Sequence, residues 1–435
     1  MMDTAIVLFT RDLRLADNPA LTAAVSAARH VVPLFVHDPA IAAGPVRGAF
    51  LAGCLADLRA GLRARGAGLV ERRGDPVTEV LRLAGELRAG HGTGGGSGAG
   101  GAGRGSGAGT IGVSCAADVS AFAQARQRRL AAACAAAGLH LRLFDQLTVV
   151  PPGELVPAGG DSYKIFTPYW RRWQAVVRPG TTQAPDRVTL PPGVRPTDGP
   201  EGSGGERAAH ARLAAWRDSW ESYADGHDDL AGDRTSRLSA HLHFGTLSPR
   251  ALLDGPEAFV RQVCWRDFYH QVLHAFPRLT ARPFKNVVED WVDDPESYAA
   301  WCAGMTGVPL VDAGMRQLAA EGFMHNRARM VVASFLTKHL RIDWRLGAAH
   351  FMAHLADADV ANNYGNWQWT AGTGNDTRPY RRFNPVRQGY QHDPRGDYVR
   401  RHVPELADLA GPVVHEPWKL PRSRTKGYPR PIIEL

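Results

Sequence analysis

Short apolar runs alternate with helix-periodic segments through the first third of the 435-residue chain, and this alternation restricts the possible folds more than any other feature. The apolar runs are Ile6–Phe9, Val31–Val36, Gly68–Val70, Ile111–Val113 and Leu139–Phe144. Strands that alternate with helices form a parallel sheet with helices on both faces. We therefore predict an α/β domain with a Rossmann-like sheet over residues 1–150. Such sheets bind ligands at the carboxyl ends of their strands.

A glycine-rich stretch interrupts this domain at residues 90–109, where twelve of the twenty residues are glycine. Gly96, Gly98 and Gly101 fit the G-x-G-x-x-G spacing of a dinucleotide-binding turn. The stretch is of low complexity and no strand directly precedes it, so this fit does not indicate a dinucleotide site. The composition is typical of a flexible linker, and we predict a disordered surface loop here.

The rest of the chain divides into a connector and a helical domain. Residues 151–205 are dense in proline and glycine, which predicts an inter-domain connector, although the aromatic run Tyr163–Trp170 within it favours packing on a neighbour. Residues 206–435 show mostly helical periodicity and carry most of the eleven tryptophans. We predict an all-α second domain there. Buried tryptophan is ordinary in a core, but so local an enrichment also fits a functional role.

Composition says more about the protein's environment than about its function. The 51 Lys and Arg residues exceed the 43 Asp and Glu residues by eight, which permits a nucleic-acid partner without requiring one. The five cysteines are scattered and form no CxxC pair, so they predict reduced thiols in a cytoplasmic protein and no metal site. No apolar run approaches the roughly 18 residues of a membrane span.

Two polar clusters in the helical half are candidate ligand-binding segments. Thr235–Ser239 packs three hydroxyls and a guanidinium into five residues, a set that suits a diphosphate, and a plain helix N-cap is the alternative. Asp357 and Asp359 precede an amide-rich stretch over residues 362–369. Their carboxylates and the amides can bind ribose hydroxyls and a heterocycle, and an Asx-rich turn is the alternative.

Two basic segments accompany these clusters. Within the helical pattern Met324–Met330, the side chains of Asn326, Arg329 and Met330 recur three and four residues apart and so share a face. The segment Arg378–Pro385 interleaves basic and aromatic residues, which suits phosphate contacts together with base stacking. A solvated run of charges would normally lack those aromatic residues.

The order of these segments, and seven motifs within them, resemble the photolyase/cryptochrome family over nearly the whole chain. The motifs are Thr235–Ser239, Trp265–Tyr269, Gly307–Asp312, Met324–Arg327, Asn366–Trp369, Arg382–Pro385 and His415–Trp418. The resemblance is closest to the class I members, which split cyclobutane pyrimidine dimers. It implies a light-dependent carbon–carbon lyase of DNA repair that acts on UV-damaged DNA as a monomer.

The resemblance also implies FAD, bound non-covalently in the helical domain and reduced in the active form. The cofactor-binding positions that it transfers are Tyr223, Thr235, Ser236, Arg237, Leu238, Ser239, Phe259, Gln262, Asn326, Arg329, Asp357, Asp359 and Asn363. Asn363 matches the residue beside flavin N5 and counts among the catalytic positions as well. A second, light-harvesting antenna chromophore is implied in the N-terminal domain, either 8-hydroxy-deazaflavin or methenyltetrahydrofolate.

Three tryptophans match the family's electron-transfer chain, which leads from the flavin to the protein surface. They are Trp367, Trp344 and Trp291. Indole suits this role because it is the most readily oxidised common side chain and delocalises the resulting radical. Three ordinary core tryptophans are the alternative that spacing alone leaves open.

Finally, the resemblance transfers the positions that contact DNA. They are Gln262, Trp265, Asn326, Arg327, Met330, Trp369 and Arg382. Trp265 and Trp369 would stack on pyrimidines that are flipped out of the duplex. Gln262 departs from the glutamate that is usual in enzymes for cyclobutane dimers. Repair of the (6-4) photoproduct and a cryptochrome-like photoreceptor without repair are therefore the alternatives.

Overall fold

A five-stranded parallel sheet occupies the N-terminal part of a computed structural model, which describes residues 1–41, 44–92, 109–176, 180–202 and 204–434. The strands are β1 (Met2–Phe9), β2 (Ala28–His37), β3 (Val70–Arg73), β4 (Ile111–Ala116) and β5 (His140–Phe144). All pairs are parallel, and the order across the sheet is β3-β2-β1-β4-β5. The disordered loop predicted at 90–109 lies, apart from its ends, outside the described residues.

Helices cover both faces of this sheet. They are α1 (Pro19–Ala27), α2 (Pro45–Arg63), α3 (Pro76–Gly92) and α4 (Ala121–Ala136). Along β1, Val7 and Phe9 share a buried cluster with residues of α1 and α2, whereas Ile6 and Leu8 share another with residues of α3 and α4. Both faces of the strand are therefore apolar, as a strand buried on two sides requires. The predicted α/β class is confirmed.

The short edge strand β3 begins two residues later than the apolar run Gly68–Val70 predicts. Its polar side chains have partners, because the Glu71 carboxylate contacts His37 Nε2 at 2.9 Å and Arg59 Nε at 2.5 Å. Polar residues within an edge strand interrupt the apolar pattern from which strands are predicted. The apolar pattern therefore predicts the strand correctly but gives the wrong first and last residues.

Beyond the sheet the regular elements are helices, and the all-α class predicted for the second domain is confirmed. The helices are α5 (Phe166–Gln174), α6 (Glu206–Arg217), α7 (Tyr223–Gly226), α8 (Ser239–Phe244), α9 (Glu257–Ala275), α10 (Pro295–Ala303), α11 (Pro309–Glu321), α12 (Asn326–Ser334), α13 (Trp344–His354), α14 (Val360–Ala371), α15 (Pro385–His392) and α16 (Asp397–His402). A π-helical stretch over Phe335–His339 extends α12. Short 3₁₀ turns cover Trp220–Ser222, Pro249–Leu252, Pro404–Leu406, Gly411–His415, Pro417–Lys419 and Arg422–Arg424.

Helices α9 and α14 approach each other closely at one glycine. A Cβ on Gly365 of α14 would overlap the ring of Tyr269 on α9. Any larger side chain there would therefore push the helices apart. Since α9 carries Trp265 and α14 carries Trp369, this contact also fixes how the two indoles are placed.

The aromatic run within the connector packs on a neighbour, as its composition predicts. The side chains of Phe166, Tyr169 and Trp170 on α5 are buried in a cluster that includes Phe268 of α9. The Phe166 ring lies almost parallel to the indole of Trp265, with the ring centroids 3.7 Å apart. The connector is therefore part of the wall around Trp265.

Two charged residues of α9 tie the helical region to the end of the sheet. Asp267 accepts hydrogen bonds from the backbone N–H groups of Val149 and Val150 at 2.9 and 3.0 Å, and from the indole of Trp173. Arg266 Nη1 donates to the carbonyl of Leu147 at 2.5 Å. These bonds hold α9 against the segment that leaves β5. No helix in the described part of the chain is long and apolar enough to cross a membrane.

Candidate functional site

Two buried carboxylates stand at the start of α14. Asp359 is the N-cap of the helix and accepts a hydrogen bond from the backbone N–H of Asn362 at 2.8 Å. Asp357, two residues earlier, pairs with Arg329 of α12 at 2.9 Å. Burial alone would raise the pKa of Asp357, but the Arg329 guanidinium and a hydrogen bond from Ser239 outweigh it and hold that pKa below its ordinary value. The Asp357 carboxylate is therefore ionised.

Asp359 connects this helix to the ligand-binding edge of the sheet. Arg11, just after β1, pairs with Asp118 after β4 at 3.1 Å and also with Asp359. The ends of β1 and β4 meet at the point where strand order reverses, which is where such sheets bind ligands. Here an ion cluster occupies that point. Burial opposes ionisation of Asp359, but His270, Arg11 and Arg266 hold its pKa well below the ordinary value.

The candidate diphosphate segment Thr235–Ser239 is a strained loop. Asp233 and Arg237 adopt positive φ angles of 46° and 51°, which is uncommon for residues other than glycine and is often found at binding sites. Arg237 pairs with Asp233 and with Glu321 at 2.9 Å. Its guanidinium therefore holds the loop in shape. The Leu238 side chain is buried in the core, so only its backbone can face a ligand.

A residue that the sequence did not single out anchors the same loop. Arg212 of α6 donates from Nε to the carbonyl of Ser236 at 2.9 Å. That carbonyl therefore points towards Arg212. The ring of Tyr223 stacks on that of His227. The buried ring of Phe259 lies 5.4 Å from the Tyr223 ring. Phe259 thus supports Tyr223 from the core.

Helix α12 presents the polar face that its spacing predicts. Asn326 is exposed, and its amide lies 3.9 Å from the sulfur of Met330 one turn later. Arg327 instead forms a two-pronged ion pair with Asp228, with distances of 3.1 and 2.5 Å. The Arg327 guanidinium is therefore already paired. Arg382, by contrast, is exposed. Burial lowers the pKa of half-buried His339, and the nearby Arg382 guanidinium lowers it further.

Two of the residues proposed to contact a nucleobase, Trp265 and Trp369, have half-buried indoles. Trp265 stacks on Phe166, and Gln262, one turn earlier on α9, is exposed. Trp369 has the guanidinium of Arg381 over its ring at 5.8 Å. Trp265 and Trp369 are therefore partly exposed indoles, and each has a polar or basic residue nearby. Aromatic faces of this kind bind bases by stacking.

The three tryptophans of the proposed electron-transfer chain lie on neighbouring segments. The Trp367 ring packs on Gly347 of α13, where a Cβ would overlap it, and Trp344 is three residues before that glycine. Trp344 is fully buried, and Trp291 is half-buried. Both donate their indole N–H to Glu289. Motif comparison did not reveal Glu289, because it lies in an irregular segment outside the seven motifs.

The donor set of this region suits FAD on chemical grounds. Hydroxyls of the strained loop can face a diphosphate, and the carboxylates of Asp357 and Asp359 can accept from ribose hydroxyls or ring N–H groups. Asn363 lies half-buried on α14, with its amide donating to the carbonyl of Ala348 at 3.0 Å. The exposed amides of Asn326 and Asn366 occur on otherwise buried helices. Side-chain amides of this kind can hydrogen-bond a heterocycle.

A separate cavity of about 370 Å³ lies between α4, the end of β5 and α9. Its polar lining includes Asp118, Gln127, Arg128 and His270. His270 links it to the acidic pair, because its Nε2 lies 3.5 Å from Asp359. Burial lowers the pKa of His270 to about 4, so the imidazole is neutral at physiological pH. The volume is within the range of pockets that hold small molecules.

Two family models match the two parts of the chain. A family model described as DNA photolyase matches residues 5–91 and 107–189, and one described as the FAD binding domain of DNA photolyase matches residues 259–435. The chain is 48% identical to a deoxyribodipyrimidine photo-lyase of Streptomyces griseus, over 100% of this chain and 97% of that protein.

Solved structures show the same likeness. A class III photolyase of Agrobacterium tumefaciens superposes with a TM-score of 0.88 at 33% identity, covering 100% of this chain and 95% of that one. An archaeal photolyase of Sulfolobus tokodaii, solved with two FAD molecules, superposes with a TM-score of 0.85 at 27% identity, covering 99% and 96%. With a sheet domain and an FAD-binding helical region both matched, the chain belongs to the photolyase/cryptochrome family.

Proposed function

We propose that this protein is a light-driven DNA repair lyase that splits cyclobutane pyrimidine dimers with bound FAD. The observation that carries the proposal is the placement of two partly open indoles, Trp265 and Trp369, on the helices α9 and α14 that meet at Gly365. The second of these helices also begins with the acidic pair Asp357 and Asp359. One short stretch of structure thus carries both the stacking surfaces and the proposed flavin contacts. The relatives named deoxyribodipyrimidine photo-lyase support the same substrate.

When bound and reduced, FAD supplies an electron to the dimer upon illumination. The protein holds the lesion and the flavin close together. Trp265 and Trp369 stack on the two flipped pyrimidines, and stacking of this kind contributes about 1–3 kcal/mol per base. Gln262 and Asn326 can donate and accept hydrogen bonds at the base edges.

The remaining residues act on the backbone of DNA and on the shape of the pocket. Arg382 is exposed beside Arg381 and can contact a phosphate. Arg327 is paired with Asp228, so we propose that it reaches DNA only by exchanging that carboxylate for a phosphate. Met330, whose sulfur lies beside the Asn326 amide, offers the bases an apolar contact. Trp367, Trp344 and Trp291 form the route by which an oxidised flavin regains electrons.

A repair assay tests the proposal. Flavin-loaded protein is reduced, mixed with one oligonucleotide carrying a thymine cyclobutane dimer and another carrying a (6-4) photoproduct, and illuminated. Chromatography should show loss of the cyclobutane dimer in light and none in the dark, with the (6-4) lesion unchanged. Loss of the (6-4) lesion alone would assign the other repair chemistry. If neither lesion is lost although flavin is bound and reduced, the proposal fails.

A second candidate function, which Gln262 favours, is that of a cryptochrome-type photoreceptor without repair. This chain has an amide where enzymes for cyclobutane dimers usually carry a carboxylate, while the three tryptophans needed for flavin reduction are all present. A photoreceptor should show flavin reduction in light without preference for damaged DNA. Tighter binding to a dimer-containing duplex than to the intact duplex in the dark would therefore exclude this candidate.

We also propose that the 370 Å³ cavity holds the second, light-harvesting chromophore. Its polar lining and its position one side chain from Asp359 support this proposal. Purified protein should bind either 8-hydroxy-deazaflavin or methenyltetrahydrofolate. Binding is measured as absorption of the chromophore in the protein fraction after gel filtration. Ala131→Trp places an indole into the cavity lining and should abolish binding, whereas Ala132→Trp, which lies outside the lining, should not. Equal binding by both variants contradicts the assignment.

Three further expectations belong to the same proposal. The domain limits are 1–150, 151–205 and 206–435, which the end of β5 at Phe144 and the start of α6 at Glu206 support. The protein acts as a monomer in the cytoplasm. Light scattering of the purified protein tests the first of these two properties, and cell fractionation tests the second. The burial of Cys54, Cys115 and Cys134 as free thiols is compatible with a reducing compartment.

A further inference from the structure

One carboxylate lies between the two outer tryptophans of the proposed electron route. The indole N–H groups of Trp344 and Trp291 both donate to the same oxygen, Oε1 of Glu289, each at 3.1 Å. We propose that Glu289 is a positioning residue that stabilises positive charge on these indoles and thereby draws the charge outward to Trp291. This inference rests on the proposed function, since the charge arises only when bound flavin accepts an electron in light.

Glu289 is held in its ionised form. Burial would raise its pKa, but hydrogen bonds from Arg345, Trp291 and Trp344 more than offset this and hold the pKa below the ordinary value. The side chain is 21% exposed, so solvent screens it only in part. A carboxylate at the N–H edge of an indole lowers the energy of the indole radical cation by direct Coulomb attraction.

The two indoles differ in their cationic neighbours, and the difference gives the transfer a direction. The Arg345 guanidinium lies over the Trp344 ring at 4.7 Å and opposes positive charge there. Among the described residues, no guanidinium lies over Trp291. Arg345 also pairs with Asp343 at 3.0 Å, so Glu289, Asp343 and Arg345 together keep one net negative charge. Positive charge is therefore more stable on the half-exposed Trp291 than on the fully buried Trp344.

The electrons balance along this route without breaking a bond between heavy atoms. Trp367 gives one electron to the light-excited flavin of the proposed function, Trp344 restores Trp367, and Trp291 restores Trp344. Trp291 is then the oxidised group, and its N–H proton stays in the hydrogen bond to Oε1 of Glu289. A thiol reductant in solution finally returns the electron to Trp291.

Glu289→Gln tests the proposal, because the amide keeps a hydrogen-bond acceptor and removes the charge. Flavin-loaded protein is flashed, and tryptophan radicals are followed by transient absorption and electron paramagnetic resonance. The yield of long-lived tryptophan radical should fall by about tenfold, which corresponds to about 1.4 kcal/mol. Asp290→Asn is the matched control, since Asp290 is the next residue, loses the same charge and pairs with exposed Arg341. That variant should stay within about twofold of the wild type.

A third variant separates electrostatics from support of the fold. Arg345→Gln removes the cation over Trp344, so the radical yield should not fall and part of the radical should move to Trp344. A purely structural role of the Glu289–Arg345 pair would lower the yield in both variants. An unchanged yield in Glu289→Gln, or an equal loss in Asp290→Asn, overturns the inference. If the wild type binds no flavin or forms no radical in light, the proposed function itself fails.

Discussion

At the scale of single residues, the proposed function depends most on the partly exposed indoles of Trp265 and Trp369. Trp265 is backed by Phe166 on one face, with the ring centroids 3.7 Å apart, so its indole cannot tilt freely. Trp369 is flanked by the guanidinium of Arg381. Rigid, partly exposed indoles lose little conformational entropy when they stack on a base. In the proposed function, the two indoles are fixed platforms for a lesion that must leave the duplex.

Trp369→Ala tests that platform. Removal of one stacking surface should weaken dark binding to a dimer-containing oligonucleotide by about 1–3 kcal/mol, or roughly 5- to 150-fold in Kd. Fluorescence anisotropy measures the change. Trp418→Ala, which removes another half-buried indole from the C-terminal segment, serves as the control and should leave Kd unchanged. Equal binding by Trp369→Ala and the wild type would contradict the stacking role.

At the scale of elements, the contact between α9 and α14 sets the relative positions of the helices that carry Trp265 and Trp369. Gly365 permits the contact because it has no Cβ to meet the Tyr269 ring. The segment Tyr163–Phe166 of the connector joins the two helices from outside. Gln271 of α9 donates to the carbonyl of Tyr163 at 2.7 Å, and Asn375, after α14, donates to that of Lys164 at 2.8 Å.

Gly365→Ala should separate these helices. Overpacking of this kind typically costs about 1–3 kcal/mol of unfolding free energy, which urea denaturation measures. Gly85→Ala is the control, since Gly85 lies exposed in α3 with no atom within 4 Å of its added Cβ. That change should stabilise the protein by about 0.5–1 kcal/mol, because alanine favours a helix over glycine. Equal stability of Gly365→Ala and the wild type would refute the close-contact account.

The same elements show what the sequence can predict and what it cannot. The two-sided apolar pattern of β1 correctly indicates a buried parallel strand, and local motifs such as Thr235–Ser239 predict the binding segments that the proposed function uses. Arg11 and Asp359 lie 348 residues apart, so no local pattern reveals their ion pair. The role proposed for Glu289 likewise depends on its hydrogen bond with Trp344, which is distant in sequence and adjacent in the fold. Long-range polar pairs depend on tertiary packing, which a single sequence leaves unspecified.

At the scale of the whole molecule, buried neutral histidines link stability to pH. Burial lowers the pKa of both His270 and His325 from 6.5 to about 4. Between those values the unfolded chain binds protons that the folded protein does not, so stability falls as pH drops from about 6.5 towards 4. Charged partners such as Asp359 limit the effect without cancelling it.

Urea unfolding at pH 7 and pH 5 measures this dependence. Each of the two histidines should remove about 1–2 kcal/mol of unfolding free energy at pH 5 relative to pH 7. His325→Gln should be less stable at pH 7, because His325 Nδ1 accepts from the backbone N–H of Arg327, but its stability should depend less on pH. An equally steep dependence in the variant would show that His325 does not contribute.

We propose that these elements together split a pyrimidine dimer with light, and the yield of splitting per absorbed photon is the decisive measurement. The experiment measures how many cyclobutane thymine dimers are split per absorbed photon. It compares the reduced, flavin-loaded wild type with the double variant that combines Trp265→Ala and Trp369→Ala. DNA concentrations are chosen to saturate both proteins. We predict efficient splitting by the wild type in light, none in the dark, and a severe loss in the double variant. Saturated binding of the dimer by the wild type without any light-dependent splitting would contradict the claim.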